Sequence, residues 1–194
     1  ATLLIRRLAS LGGSASLELS PAQACGKAKK GDITLNAAMN VVAAEGVPPM
    51  LHKGTRCFVN MIKKDCAHFN DVADACKALR SLGLQPVPHV PTCRFSTRSE
   101  ADAVLDALCA AGATSVFVLG GNDQHARGGA GAFGSVGAAL DAGVLMERTA
   151  QPAMRRVVLA GHPEGHPGLG RCPEKTMAVL LDKAERLMAA GRSI

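Results

Sequence analysis

Two rhythms of apolar residues alternate along this chain. Short apolar runs, too brief for helices, are followed by Ala-rich stretches whose apolar positions return every three or four residues. Ser16-Leu17-Glu18-Leu19-Ser20 reads as a first strand ending at Pro21, and residues 33–46 have helical spacing up to Gly46. Arg56 to Ile62 is a second strand. Asn70 to Leu82 is an amphipathic helix with apolar Val72, Ala73, Cys76 and Leu79, stopped by Gly83. Gln85 to Val90 is a third extended run whose prolines are expected only at its ends. Ser99 to Ala111 is helical, with Glu100 in the first turn and Gly112 as its stop. Thr114 to Leu119 is a fully apolar strand, Ala132 to Gly143 a helix, Arg156 to Ala160 a strand, and Lys175 to Ala190 a final amphipathic helix ended by Gly191.

Five β runs alternating with five helices predict an α/β protein of the parallel (β/α) TIM-barrel type. No internal repeat or low-complexity linker divides the chain. A closed eight-stranded barrel takes about 250 residues, and 194 residues leave room for about five βα units. The expectation is an incomplete barrel: open, completed by neighbours, or part of a longer polypeptide.

Candidate chemistry concentrates where the last strand stops. Val158-Leu159-Ala160 breaks into Gly161-His162-Pro163-Glu164-Gly165-His166-Pro167. Proline fixes φ and excludes a helix here, so the two imidazoles sit on a rigid loop at a strand's C-terminal end, where barrel enzymes keep their catalytic groups. The spacing of His162 and His166 suits a metal pair only on a helix, and no third ligand is evident, so no metal is expected. Glu18, flanked by Leu17 and Leu19, points opposite to them. If the leucines pack outward it faces a barrel lumen, where a desolvated carboxyl keeps the proton an acid catalyst needs; on an edge strand it faces water. His89 stands between Pro88 and Val90 at a strand end and suits either a preorganised ligand contact or a structural hydrogen bond. Gly129-Ala130-Gly131-Ala132-Phe133-Gly134 spells G-x-G-x-x-G but lies well after its strand and lacks the following acid, so it reads as a loop leading into a helix.

In order along the chain, Ser16-Leu17-Glu18-Leu19-Ser20-Pro21, Val87-Pro88-His89-Val90-Pro91-Thr92-Cys93, Val118-Leu119-Gly120-Gly121-Asn122-Asp123 and the His162–His166 segment resemble strand-end signatures of the methylenetetrahydrofolate reductase family. The resemblance covers residues 14–191. It implies a (β/α)8 barrel that holds FAD and passes a hydride from NAD(P)H to methylenetetrahydrofolate. It assigns Glu18 and Asp123 to catalysis. It assigns His89, Asn122, Asp123, Ala160, His162 and His166 to cofactor contact. The family's flavin-binding Thr falls near Ile62, its Arg near Gly120 or Gly121, its aromatic before Pro-Glu at His162, and its helix Lys near Leu187. Its folate-binding Gln falls beyond Ile194.

Composition narrows the partners. Twenty-two Lys and Arg against 16 Asp and Glu give a formal charge of +6, clustered at Arg6-Arg7, Lys27 to Lys30, Lys53 to Arg56 and Lys63-Lys64. Such clusters form a solvated basic face or meet an anionic ligand, lipid or subunit. Five Phe with no Trp or Tyr argue against base stacking on nucleic acid, and no apolar run matches a membrane span. Seven scattered cysteines without Cys-x-x-Cys suggest reduced thiols in a cytosolic, mitochondrial or plastid setting; Cys57, Cys76 and Cys109 read as small core hydrophobes, and Cys93 as a residue near the site. Residues 1–13 form an N-terminal extension resembling the tail of a transit peptide or, equally, a first helix; residues 14–194 form the barrel-type domain. A mitochondrial matrix location follows from the transit-like reading, a cytoplasmic one from its alternative. Three functions remain: the flavin reductase; a catalytically silent relative serving as a structural subunit of a larger mitochondrial assembly such as a respiratory complex, with other subunits as partners; or a nucleotide- or flavin-binding module without reductase chemistry.

Overall fold

A computed structural model describes residues 17–25, 54–60, 69–120, 133–147 and 151–194. The N-terminal extension, the helix expected over 33–46, Ile62, most of the glycine-rich segment, Asn122 and Asp123 lie outside the described residues. The protein is α/β, with one all-parallel sheet in the order β1-β2-β3-β4-β5. The chain divides into two compact units, Ala1–Pro88 and His89–Ile194, and the division falls inside β3.

The first unit contains β1 (Leu17–Leu19), α1 (Pro21–Ala24), β2 (Arg56–Val59), α2 (Phe69–Ser81) and the first half of β3 (Gln85–Pro91). α2 carries Asp71 in its first turn and Arg80 in its last, each matched to the helix dipole. Val72, Ala73, Ala75, Cys76 and Leu79 form its buried face. It closes on Gly83 at φ +77°, with Leu84 N–H donating to Leu79 O at 3.0 Å and Gly83 N–H to Arg80 O at 2.9 Å. That pattern needs a left-handed residue and is why the chain has glycine there. Burial pushes the Cys57 thiol up to about 11 and, with a smaller contribution from Cys25, the Cys76 thiol up to about 12. Both stay neutral and pack as apolar groups.

The second unit contains the rest of β3, a 3₁₀ turn (Thr92–Arg94), α3 (Arg98–Ala110), β4 (Ser115–Leu119), α4 (Val136–Asp141), β5 (Arg156–Leu159), a 3₁₀ turn (Pro167–Leu169) and α5 (Pro173–Ala189). Thr97 Oγ1 accepts the Glu100 N–H at 3.2 Å while Glu100 Oε2 accepts the Ser96 N–H at 2.7 Å, a box of side chains that starts α3. α4 begins at Val136 rather than at 132 because the Ser135 hydroxyl accepts the Ala138 N–H at 3.0 Å and fixes the first turn there. Cys109 is half-exposed rather than core.

β3 departs from expectation. It is a central strand with Pro86 and Pro88 inside it, buried like the rest of its length after Gln85. The ladder explains the tolerance. Gln85 N–H donates to Thr55 O on the β2 side, and in a parallel pair alternate residues bond to alternate sides. Pro86 and Pro88 therefore fall at positions whose missing N–H would point away from β2. Pairing with β2 covers Gln85 to Pro88, and pairing with β4 starts only at His89.

Candidate functional site

In the first unit, Leu19 is buried and Glu18 is exposed on β1. The desolvated carboxyl expected for an acid catalyst is thus replaced by a solvent-facing one. Its Oε1 accepts a hydrogen bond from Asn60 Nδ2 at 2.6 Å. Asn60 directly follows β2, and its own N–H donates to Leu19 O at 2.7 Å, so the backbone ladder carries the carboxamide to the carboxylate. This partner was missed by sequence reasoning. Only the register Glu18↔Phe58 brings residue 60 within reach.

In the second unit, His89 is buried, only 3% exposed. Its ring meets Phe117 edge-on, with centroids 4.8 Å apart and planes at 86°. The register His89↔Phe117 sets this contact on adjacent strands. Of the two arrangements open to it, the ring takes up the packed one against Phe117. Cys93, expected beside the site, is buried with it.

The loop after β5 is built around one tight turn. Gly165 N–H donates to His162 O at 2.9 Å, and Gly165 sits at φ +89°. A Cβ there would come under 3.0 Å from the Arg171 backbone, so no side chain fits. His166 is tied on three sides. Its N–H donates to Thr176 Oγ1 at 2.9 Å, its carbonyl accepts the Leu169 and Arg171 N–H groups, and its Nδ1 accepts the Gly168 N–H at 3.0 Å. The ring therefore caps the short 3₁₀ turn, and a neutral His166 carries its proton on Nε2. His162 and His166 are brought together, rings edge-on with centroids 4.8 Å apart. His162 Nδ1 also stands 3.6 Å from Glu164 Oε1. Glu164's own backbone N–H, and then His162, hold its carboxyl below the usual carboxylate range. Ala160, at the end of the strand, is half-buried.

At the other end of β5 the pattern reverses. Arg192 is 4% exposed, and its guanidinium donates to the carbonyls of Leu145 (3.0 Å), Gln151 (3.0 Å), Met154 and Glu147 (2.8 Å). A planar fork with five donors suits several acceptors at once. It lines a cavity of about 200 Å³ with Pro152, Met154, Arg155, Gly191 and Ser193. Sequence reading left Arg192 unremarked, because a basic residue after a terminal glycine looks like a solvated tail.

Chemically, the described groups offer a carboxylate paired with a carboxamide in one unit and a surface imidazole pair in the other. Among the described residues no cluster of three His, Cys, Asp or Glu stands ready for a metal ion. No described helix is long and apolar enough to cross a membrane. A scan against protein-family models finds no match to this chain.

Proposed function

We propose that this chain is a barrel-type βα scaffold, similar to the methylenetetrahydrofolate reductases, in which groups given to the cofactor by that resemblance have been turned to structural use. On this reading it serves as a non-catalytic subunit of a larger, mitochondrial assembly. The strand order supports the barrel part: successive parallel strands that advance in one direction are how a barrel winds, whereas doubly wound sheets reverse order part-way. The observation that carries the silent part is His89. At 3% exposure and edge-on to Phe117, its ring is committed to packing. His166 supports it, since its Nδ1 is occupied by the Gly168 N–H.

A second reading, the flavin-dependent reductase using FAD and NAD(P)H on a folate substrate, is favoured by one contact. Asn60 orients the Glu18 carboxylate at 2.6 Å, as a positioned acid–base group would be. One experiment divides the two. The purified chain, incubated with FAD and desalted, is expected to be colourless. Stoichiometric retention of flavin, seen in the absorbance spectrum, would overturn the silent reading in favour of the reductase.

A further inference from the structure

Four of the five large apolar side chains exposed among the described residues lie on α5: Met177, Val179, Leu181 and Met188, with Ile194 the fifth. Three of them line up. At about 100° per residue, Met177, Leu181, Ala184 and Met188 fall within one narrow stripe along the helix. Their spacing of four, three and four residues is that of a coiled-coil seam. Met177 is 47% exposed, Leu181 53% and Met188 54%, so the stripe is not the face α5 gives to its own unit. That face holds Thr176 and Leu187. The flank toward α4 is also taken, because Arg186 Nη2 bonds to Asp141 Oδ1 at 2.6 Å. The seam lies on the opposite flank.

The seam has an internal symmetry. Met177 and Met188 are centred on the same point, between Asp182 and Lys183, as Leu181 and Ala184 are. An antiparallel copy of the same helix, related by a two-fold axis through that point, sets Leu181 against Ala184 of the second copy and Met177 against its Met188. Each large side chain then faces a small or a flexible one, which is how knobs enter holes. Glu185, at the seam's edge, meets Ala178 of the second copy rather than a like charge. We propose that the protein forms a two-fold dimer through the α5 seam, its occupant being α5 of a second copy. The pairing is isologous, as closed dimers require, and it holds whatever the chemistry of the site.

The test is the mass of the full chain by sedimentation equilibrium up to about 100 μM, a range suited to a small helical interface. The expected mass is twice that of the 19.9 kDa chain. Leu181→Glu, at an exposed position, is expected to give a monomer whose melting temperature matches that of wild type at concentrations too low for association. Ala184→Leu sets Leu against Leu and should weaken association by about tenfold or more. The swap Leu181→Ala/Ala184→Leu restores the large-against-small match and should recover the dimer. A monomeric wild type overturns the proposal. So does a dimer indifferent to Leu181→Glu, or a swap no better than Ala184→Leu alone, because another surface or occupant would then account for association.

Discussion

β5 meets two polar environments at its two ends, and they are built on opposite plans. Where it starts, one long cation is buried and spread over four carbonyls from the segment that precedes the strand. Where it stops, the backbone closes the turn on itself, Thr176 anchors it, and two imidazoles stand at the surface. In the first case the side chain is the structure. In the second the backbone is, and most of what the side chains contribute is replaceable. A parallel sheet can change chemistry at one end of its strands without loosening the other, and this contrast shows why.

The contrast can be broken by removing each anchor in turn, and the effects should fall in a definite order. Arg192→Ala leaves four carbonyls without their shared donor, and a loss of about 3 kcal/mol is expected in urea unfolding of the full chain. Arg192→Lys should recover only part, since an ammonium cannot span the same acceptors; full recovery would show that charge alone matters. Gly165→Ala must move the Arg171 backbone or abandon φ +89°, at an expected cost of about 2 kcal/mol by the same measurement. A smaller loss than for an exposed surface control would mean that the turn yields freely.

The smallest effect is one of pH. Glu164's carboxyl lies below its ordinary value of 4.5 in the folded chain, held there first by its own N–H and then by His162. A lowered folded value contributes stability that is present above 4.5 and is lost as pH falls through the folded value. Melting curves between neutral pH and about pH 3 should show a steeper acid limb for wild type than for Glu164→Gln, wild type being slightly the more stable near neutrality and the two converging in acid. Parallel acid limbs would remove the His162–Glu164 contact from the loop's energetics.

Much of the scaffold was legible in the residues. The period of α2, the acid in the first turn of α3 and the glycines after α2, α3 and α5 place those three helices within two residues of where they lie. Local rules suffice there because the signals are themselves local: a cap, a dipole, an apolar face. β3 escaped them. Pro86 and Pro88 argue against a central strand unless it is known which side of the ladder needs donors at each position. The site was legible as a set of residue types at strand ends but not as contacts. His89 is committed by its register with Phe117 and Glu18 by its nearness to Asn60, and both depend on which residues of neighbouring strands lie side by side. Ser135 is a clearer case, because a hydroxyl before an apolar helix start can be recognised in sequence alone.

The two prolines of β3 carry a consequence for folding. If the strand slipped one place against β2, Pro86 and Pro88 would turn toward it and two ladder donors would vanish together. The neighbouring alignment is thereby closed off. A pair of residues usually thought to weaken strands instead selects one offset for the sheet, and the buried sequence around it could tell the faces apart only less sharply.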